Sequence, residues 1–158
     1  MQVQGKIKEF CDEQWEFSKA TSERDGYVDP KLFIFRTDKD PVELPLEDGL
    51  AQGIPLMELW GKAVEIISKA DELEATALIS ESLIIHENQL TEEFVKKMKD
   101  GADPNEVFPK GLCQMVAYAH GNLYMREAEA KDMGGHTMYE GKSEFKLLKG
   151  DKTEWATL

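Results

Sequence analysis

Three histidines and one carboxylate are the residues of this chain whose chemistry is worth placing first. His86 closes an apolar run that begins at Thr76, His120 closes another that begins at Leu112, and Glu81 sits among aliphatic residues inside the first run. If the two runs pair side by side with those ends together, His86 and His120 approach each other with Glu81 or Glu87 nearby. Neutral imidazole is both a metal ligand and a base near physiological pH, so that arrangement would suit a small hydrolase or a metal-dependent enzyme. The plainer expectation is that both histidines cap strand ends at the surface, because their spacing matches no zinc motif. Glu81 divides the same way. A carboxylate on an apolar strand face carries a raised pKa if buried alone, as catalytic acids do; the plainer expectation is that it lies at a sheet opening or pairs with Arg126 or a lysine.

The remaining candidates point to binding rather than turnover. Ser80 and Ser82 flank Glu81, but Ile79-Ser80-Glu81-Ser82 lacks the glycines of a nucleophile elbow. His120-Gly121-Asn122 and His136-Thr137-Met138 do not supply the paired His-x-Ser/Thr motifs of phosphodiester hydrolases. There is no phosphate-binding P-loop and no GxGxxG fingerprint. Ser80, Ser82, Arg126 and His136 therefore stand as binding candidates, no cofactor is implied, and no metal site is assigned.

The elements that must position these residues come from periodicity. Leu56, Leu59, Trp60, Ala63, Val64, Ile67 and Ala70 recur at helical steps over Leu56–Leu73, while Glu58 and Glu65 each precede a lysine by four residues on the opposite side. Pro55 suits the first turn of that helix. From Thr76 to His86 the period becomes two, with large apolar groups on both faces, which predicts a central strand covered on at least part of each side. An N-terminal helix is expected over Val3–Ser22, with Ile7, Phe10, Cys11, Trp15 and Phe17 near one side. Lys31–Arg36 and Val42–Leu46 read as an antiparallel pair, and Pro45 within the second member suggests that it lies at an edge. With the long helix and the next strand they would form a crossover, right-handed if its strands are parallel.

Thr91–Asp100 has the capping and charge pattern of a short helix: Thr91 at its N-cap, Glu92 and Glu93 in its first turn, and Lys96, Lys97 and Lys99 towards its end. Leu112–His120 and Leu123–Lys131 read as a hairpin around Gly121-Asn122, although Arg126–Lys131 has high helix propensity. Ser143–Leu148 adds a last strand. The expected fold is a single α+β domain over residues 1–158 with its core over 31–148. It has a mixed, mostly antiparallel sheet of about five strands, with the long amphipathic helix and the N-terminal helix packed on one side of it.

The order hairpin, amphipathic helix and a strand reading Leu78-Ile79-Ser80-Glu81-Ser82-Leu83 resembles a set of small, uncharacterised prokaryotic and phage α+β proteins with a Ser-Glu-Ala-Trp-like strand. It spans about Leu32 to Tyr139, and Ser82-Leu83 stands where the small residue and Trp would be. The resemblance implies an α+β fold and no activity.

Bulk properties bound the function classes. The 158 residues, 41% hydrophobic and 32% charged, suit one folded domain that buries roughly 70% of its unfolded surface. A formal charge of -12 disfavours direct contact with nucleic acid or anionic membranes, which need lysine and arginine. Cys11 and Cys113 form no CxxC pair and read as reduced thiols of a cytoplasmic protein. No signal core or membrane-spanning run is recognised. The leading expectation is a non-enzymatic protein-interaction or regulatory domain that binds a protein partner or self-associates into a homo-oligomer. Beside the enzyme, an acidic DNA mimic that inhibits a DNA-binding protein is the other alternative.

Overall fold

The computed structural model describes residues 3–26, 30–70, 72–83, 91–103, 110–132, 134, 137–140 and 144–149, though not the side chains of 68, 70, 82, 83, 132 and 149. In chain order the elements are α1 (Gly5–Asp25), β1 (Lys31–Arg36), β2 (Val42–Leu44), α2 (Glu47–Ala51), α3 (Leu56–Ala70), β3 (Leu73–Leu83), α4 (Glu92–Lys99), β4 (Lys110–Tyr118), β5 (Leu123–Asp132), β6 (Thr137–Glu140) and β7 (Lys146–Lys149). The fold is α+β, built on one sheet ordered β2-β1-β3-β4-β5-β6, with β7 sharing the outer edge of β5 with β6. Every described pairing is antiparallel. The sheet therefore has seven strands rather than about five, and β1 and β3 form no parallel crossover.

Alternation along β3 explains how two helices find places. Ala75, Ala77 and Ile79 share one face with Phe33 and Phe35 of β1 and with Leu112, Gln114 and Val116 of β4. Val3, Ile7 and Cys11 pack on this face at one end, and Trp15 packs there with Ile79, Leu112 and Ala128. Ser18 and Ser22 continue the buried line of α1, and Ser22 hydrogen-bonds the Tyr139 hydroxyl on β6. Phe17, expected near this side, is instead 54% exposed, with Lys31 Nζ 4.4 Å from its ring centroid.

The other face carries Leu32, Leu78, Ala117 and Leu123, covered by Trp60 together with Leu56, Leu59, Ala63 and Val64 of α3. Trp60 Nε1–H donates to Thr76 Oγ1 at 2.7 Å, so the indole is satisfied where it is fully buried. The two helices thus lie on opposite faces, not on one side. A strand apolar on both faces requires this, since each face must be taken out of water. The expected ion pairs on the wet side of α3 form, Lys62 to Glu58 at 3.4 Å and Lys69 to Glu65 at 3.6 Å.

Local chemistry sets the element ends. Gly26 takes a left-handed φ of 80° and returns its N–H to Ser22 O at 2.8 Å, closing α1. Thr91 Oγ1 accepts from Phe94 N at 3.1 Å as the N-cap of α4. Between β4 and β5 the turn runs over Ala119–Asn122 rather than two residues, with Tyr118 N–H donating to Asn122 O and Gly121 at φ 109°. β2 is the sheet edge, as Pro45 predicts. β5 is a strand despite its helix-forming sequence, because Tyr124, Arg126 and Ala128 become buried on one face.

Candidate functional site

Antiparallel pairing keeps the chemical candidates apart. Ala75 is opposite Tyr118 and Glu81 is opposite Leu112, so the end of β4 lies beside the start of β3. Those rows are about 20 Å apart at roughly 3.3 Å per residue. His120, just beyond β4, is exposed and stacks on Tyr118 with ring centroids 5.1 Å apart and planes 11° apart. Glu81 sits at the far end, with its side chain 42% exposed and 3.6 Å from Lys110 Nζ. Its partner is thus a lysine rather than Arg126. Ser80 is half-buried opposite Cys113, and Ser82 holds a register position opposite Gly111. His86 and His136 lie outside the described residues. Among the described residues no group of three or more His, Cys, Asp or Glu could hold a metal ion.

Arg126 lies in the core, with its side chain 2% exposed. Nε donates to Gln114 Oε1 at 2.8 Å and Nη1 to Asp12 Oδ1 at 2.9 Å, while Gln114 Nε2 donates to Cys11 O at 3.1 Å. The rings of Trp15 and Phe145 lie 4.8 and 4.2 Å from the guanidinium carbon. Two strands, α1 and the segment before β7 are thereby tied around one buried cation. Burial pulls the Arg126 pKa down, and the hydrogen bond and charge of Asp12 oppose that shift. Asp12 shows the complementary balance. Burial raises its pKa, but hydrogen bonds from Lys8 and Arg126 outweigh that effect and leave it below the ordinary carboxylate range. A cation so engaged ties α1 to the sheet. Arg126 is visible in the sequence; its partners Asp12, Trp15 and Gln114 carry no local signal that they meet it.

An open cavity of about 630 Å³ lies where the start of α1 meets the β1–β2 turn. Lys6, Arg36 and Lys39 line it beside Asp38, Asp40 and Glu74, so its formal charges cancel. Arg36 Nη2 also donates to Asp40 O at 3.0 Å, which commits the guanidinium to its own turn. This balance selects neither an anion nor a cation.

The thiols are chemically quiet. Cys11 lies on the buried face of α1, and Cys113 points to the opposite face of the sheet from its neighbour Gln114. Burial pushes both thiols up to about 12, with Asp12 adding to the effect at Cys11 against Arg126, and Glu127 adding to it at Cys113. Only the thiolate attacks, so the native protein is expected to resist a disulfide reagent at pH 8 for hours and to react at both cysteines within minutes in denaturant. Fast labelling of the native chain would show that these sites are open.

The remaining candidate is a long insertion. β3 and β4 are adjacent and antiparallel with Leu83 opposite Lys110, a geometry that a two-residue turn could close. Residues 84–109 intervene instead, far more than the roughly two to five residues usual for a hairpin connection. Within them α4 buries none of its residues. Phe94 and Met98 are half-buried along one stripe, whereas Val95 is 43% exposed. Thr91, Glu92, Lys96 and Lys99 surround Val95 around a depression of about 380 Å³. Among the described residues no ion pair engages Lys96, Lys97 or Lys99.

Fold and candidate surfaces together define an antiparallel α+β domain with a helix on each face of its sheet and a helical insertion at one end. No protein family matches the chain, nor does any curated protein or solved structure. No described helix is long and apolar enough to cross a membrane.

Proposed function

We propose that the chain is a non-enzymatic, cytoplasmic protein-interaction or regulatory domain of prokaryotic or phage type, with α4 as its recognition element. One observation carries this: neighbouring strands that need only a tight turn are joined through residues 84–109, which hold a capped amphipathic helix with no buried residue. Conformational ordering costs free energy, so an ordered helix that adds little to the core has its use elsewhere. Val95 with Lys96 and Lys99 on one side suits a partner surface with an apolar anchor and carboxylates beside it. The C-terminal turn of α4, with Lys96, Lys97 and Lys99, is locally basic in a chain of net charge -12.

Replacing residues 84–109 by Asn-Gly is expected to keep the β3–β4 register, and with it the circular dichroism spectrum and cooperative unfolding of the parent. Proteins cross-linked to the parent in host extract should disappear from the shortened chain and from Val95→Asp. An unchanged cross-linked set in both variants would refute α4 as the recognition element.

A further inference from the structure

We propose that the occupant of the α4 face is a second copy of this chain, docking through the outer face of its α1. This rests on α4 being the recognition element and names its partner. On α1 the residues Glu9, Glu13 and Phe17 follow one another at four-residue steps and form one exposed row. Glu9 and Glu13 repel each other across a helical turn, and neither has an ion pair among the described residues. Phe17 gives the row an apolar end, with Lys31 over its ring. On α4 the matching row is Val95 followed at the same step by Lys99, with Lys96 beside it.

Setting the helices antiparallel places Val95 against Phe17 and Lys99 against Glu13, because both rows share the same four-residue spacing. Lys96 then lies towards the same carboxylates. The apolar pair removes the two exposed side chains from water, and unpaired charges on both helices become partnered. Each copy offers one α4 and one α1, and a reciprocal contact closes a two-fold dimer. The net charge of -12 opposes association at long range. At physiological salt the screening length is about 8 Å, so charges away from the interface weaken while contact pairs persist.

Sedimentation equilibrium of the intact chain at 0.15 M salt tests this. The wild type should approach twice the monomer mass as concentration rises. Val95→Asp, Glu13→Lys and Lys99→Glu should each weaken association about tenfold or more, with unchanged circular dichroism. Combining Glu13→Lys with Lys99→Glu should recover most of the loss, which a general effect on folding or solubility would not do. A wild type that stays monomeric at 0.5 mM overturns self-association but leaves α4 free to bind another protein. A dimer that responds to Lys99→Glu and not to Glu13→Lys overturns the α1 surface alone. A dimer indifferent to all the α4 substitutions removes α4 from this contact, and the cross-linking comparison of the shortened chain then decides the broader proposal independently.

Discussion

Arg126→Ala is expected to lower the unfolding free energy by about 3–5 kcal/mol, the scale for emptying a large buried side-chain site together with loss of its hydrogen bonds. The truncation leaves Gln114 Oε1 without its 2.8 Å donor, frees Asp12 from its 2.9 Å contact and empties the space between Trp15 and Phe145. Arg126→Met separates these effects. It refills the space and abolishes the desolvated charge, leaving chiefly an unsatisfied Gln114 oxygen, so about 1–3 kcal/mol should be lost. Urea titrations with an unchanged m-value measure both. Equal losses for Ala and Met would mean that volume between the rings contributes nothing.

The same cluster makes a pH prediction. The folded Asp12 pKa lies below its ordinary value, so its contribution is present above the unfolded pKa of about 3.9 and is lost as pH falls through the folded value. Asp12→Asn should therefore flatten the acid limb of stability below about pH 4 and leave the slope near neutrality alone. The effect is small because the Asp12 side chain is 39% exposed and partly screened by water.

This cluster also shows where sequence patterns stop being informative. The strands around it are legible from period-two burial, and the capped ends of α4 from Thr91 and the charge order, because those signals are local. The meeting of Asp12 with Arg126 joins positions 114 apart in sequence and depends on which face α1 covers. That face was nearly readable from Ala75, Ala77 and Ile79 against Thr76 and Leu78, since apolar groups on both sides of β3 need cover on both sides. The expectation of helices on one side left half of that pattern unused. His120 and Glu81 failed to converge for a related reason. The sequence leaves strand order open, and the antiparallel direction sets the end of β4 beside the start of β3, which puts His120 and Glu81 at opposite ends of the pair. The insertion holding α4 had a visible length and cap; only the adjacency of β3 and β4 reveals that the fold does not need it.

The opposite face yields the second large effect. Trp60→Ala should cost about 3–5 kcal/mol, because a fully buried indole is removed from between α3 and the strands carrying Leu32, Leu78, Ala117 and Leu123. Trp60→Phe keeps much of the apolar area but withdraws the 2.7 Å donor to Thr76, and about 1–3 kcal/mol should be lost. Thr76→Val produces the converse defect, an indole N–H deprived of that acceptor, at similar cost. The double variant Trp60→Phe, Thr76→Val removes both polar atoms together, so it should be more stable than the two single losses added, with an interaction energy of about 1 kcal/mol in a double-mutant cycle. Strict additivity would mean that the hydrogen bond contributes no net stability. The cycle also separates scaffold from surface. Trp60 and Thr76 lie within the sheet and its covering helix, so the folded fraction of each variant should keep the self-association of the wild type, whereas Val95→Asp should lose association at undiminished stability.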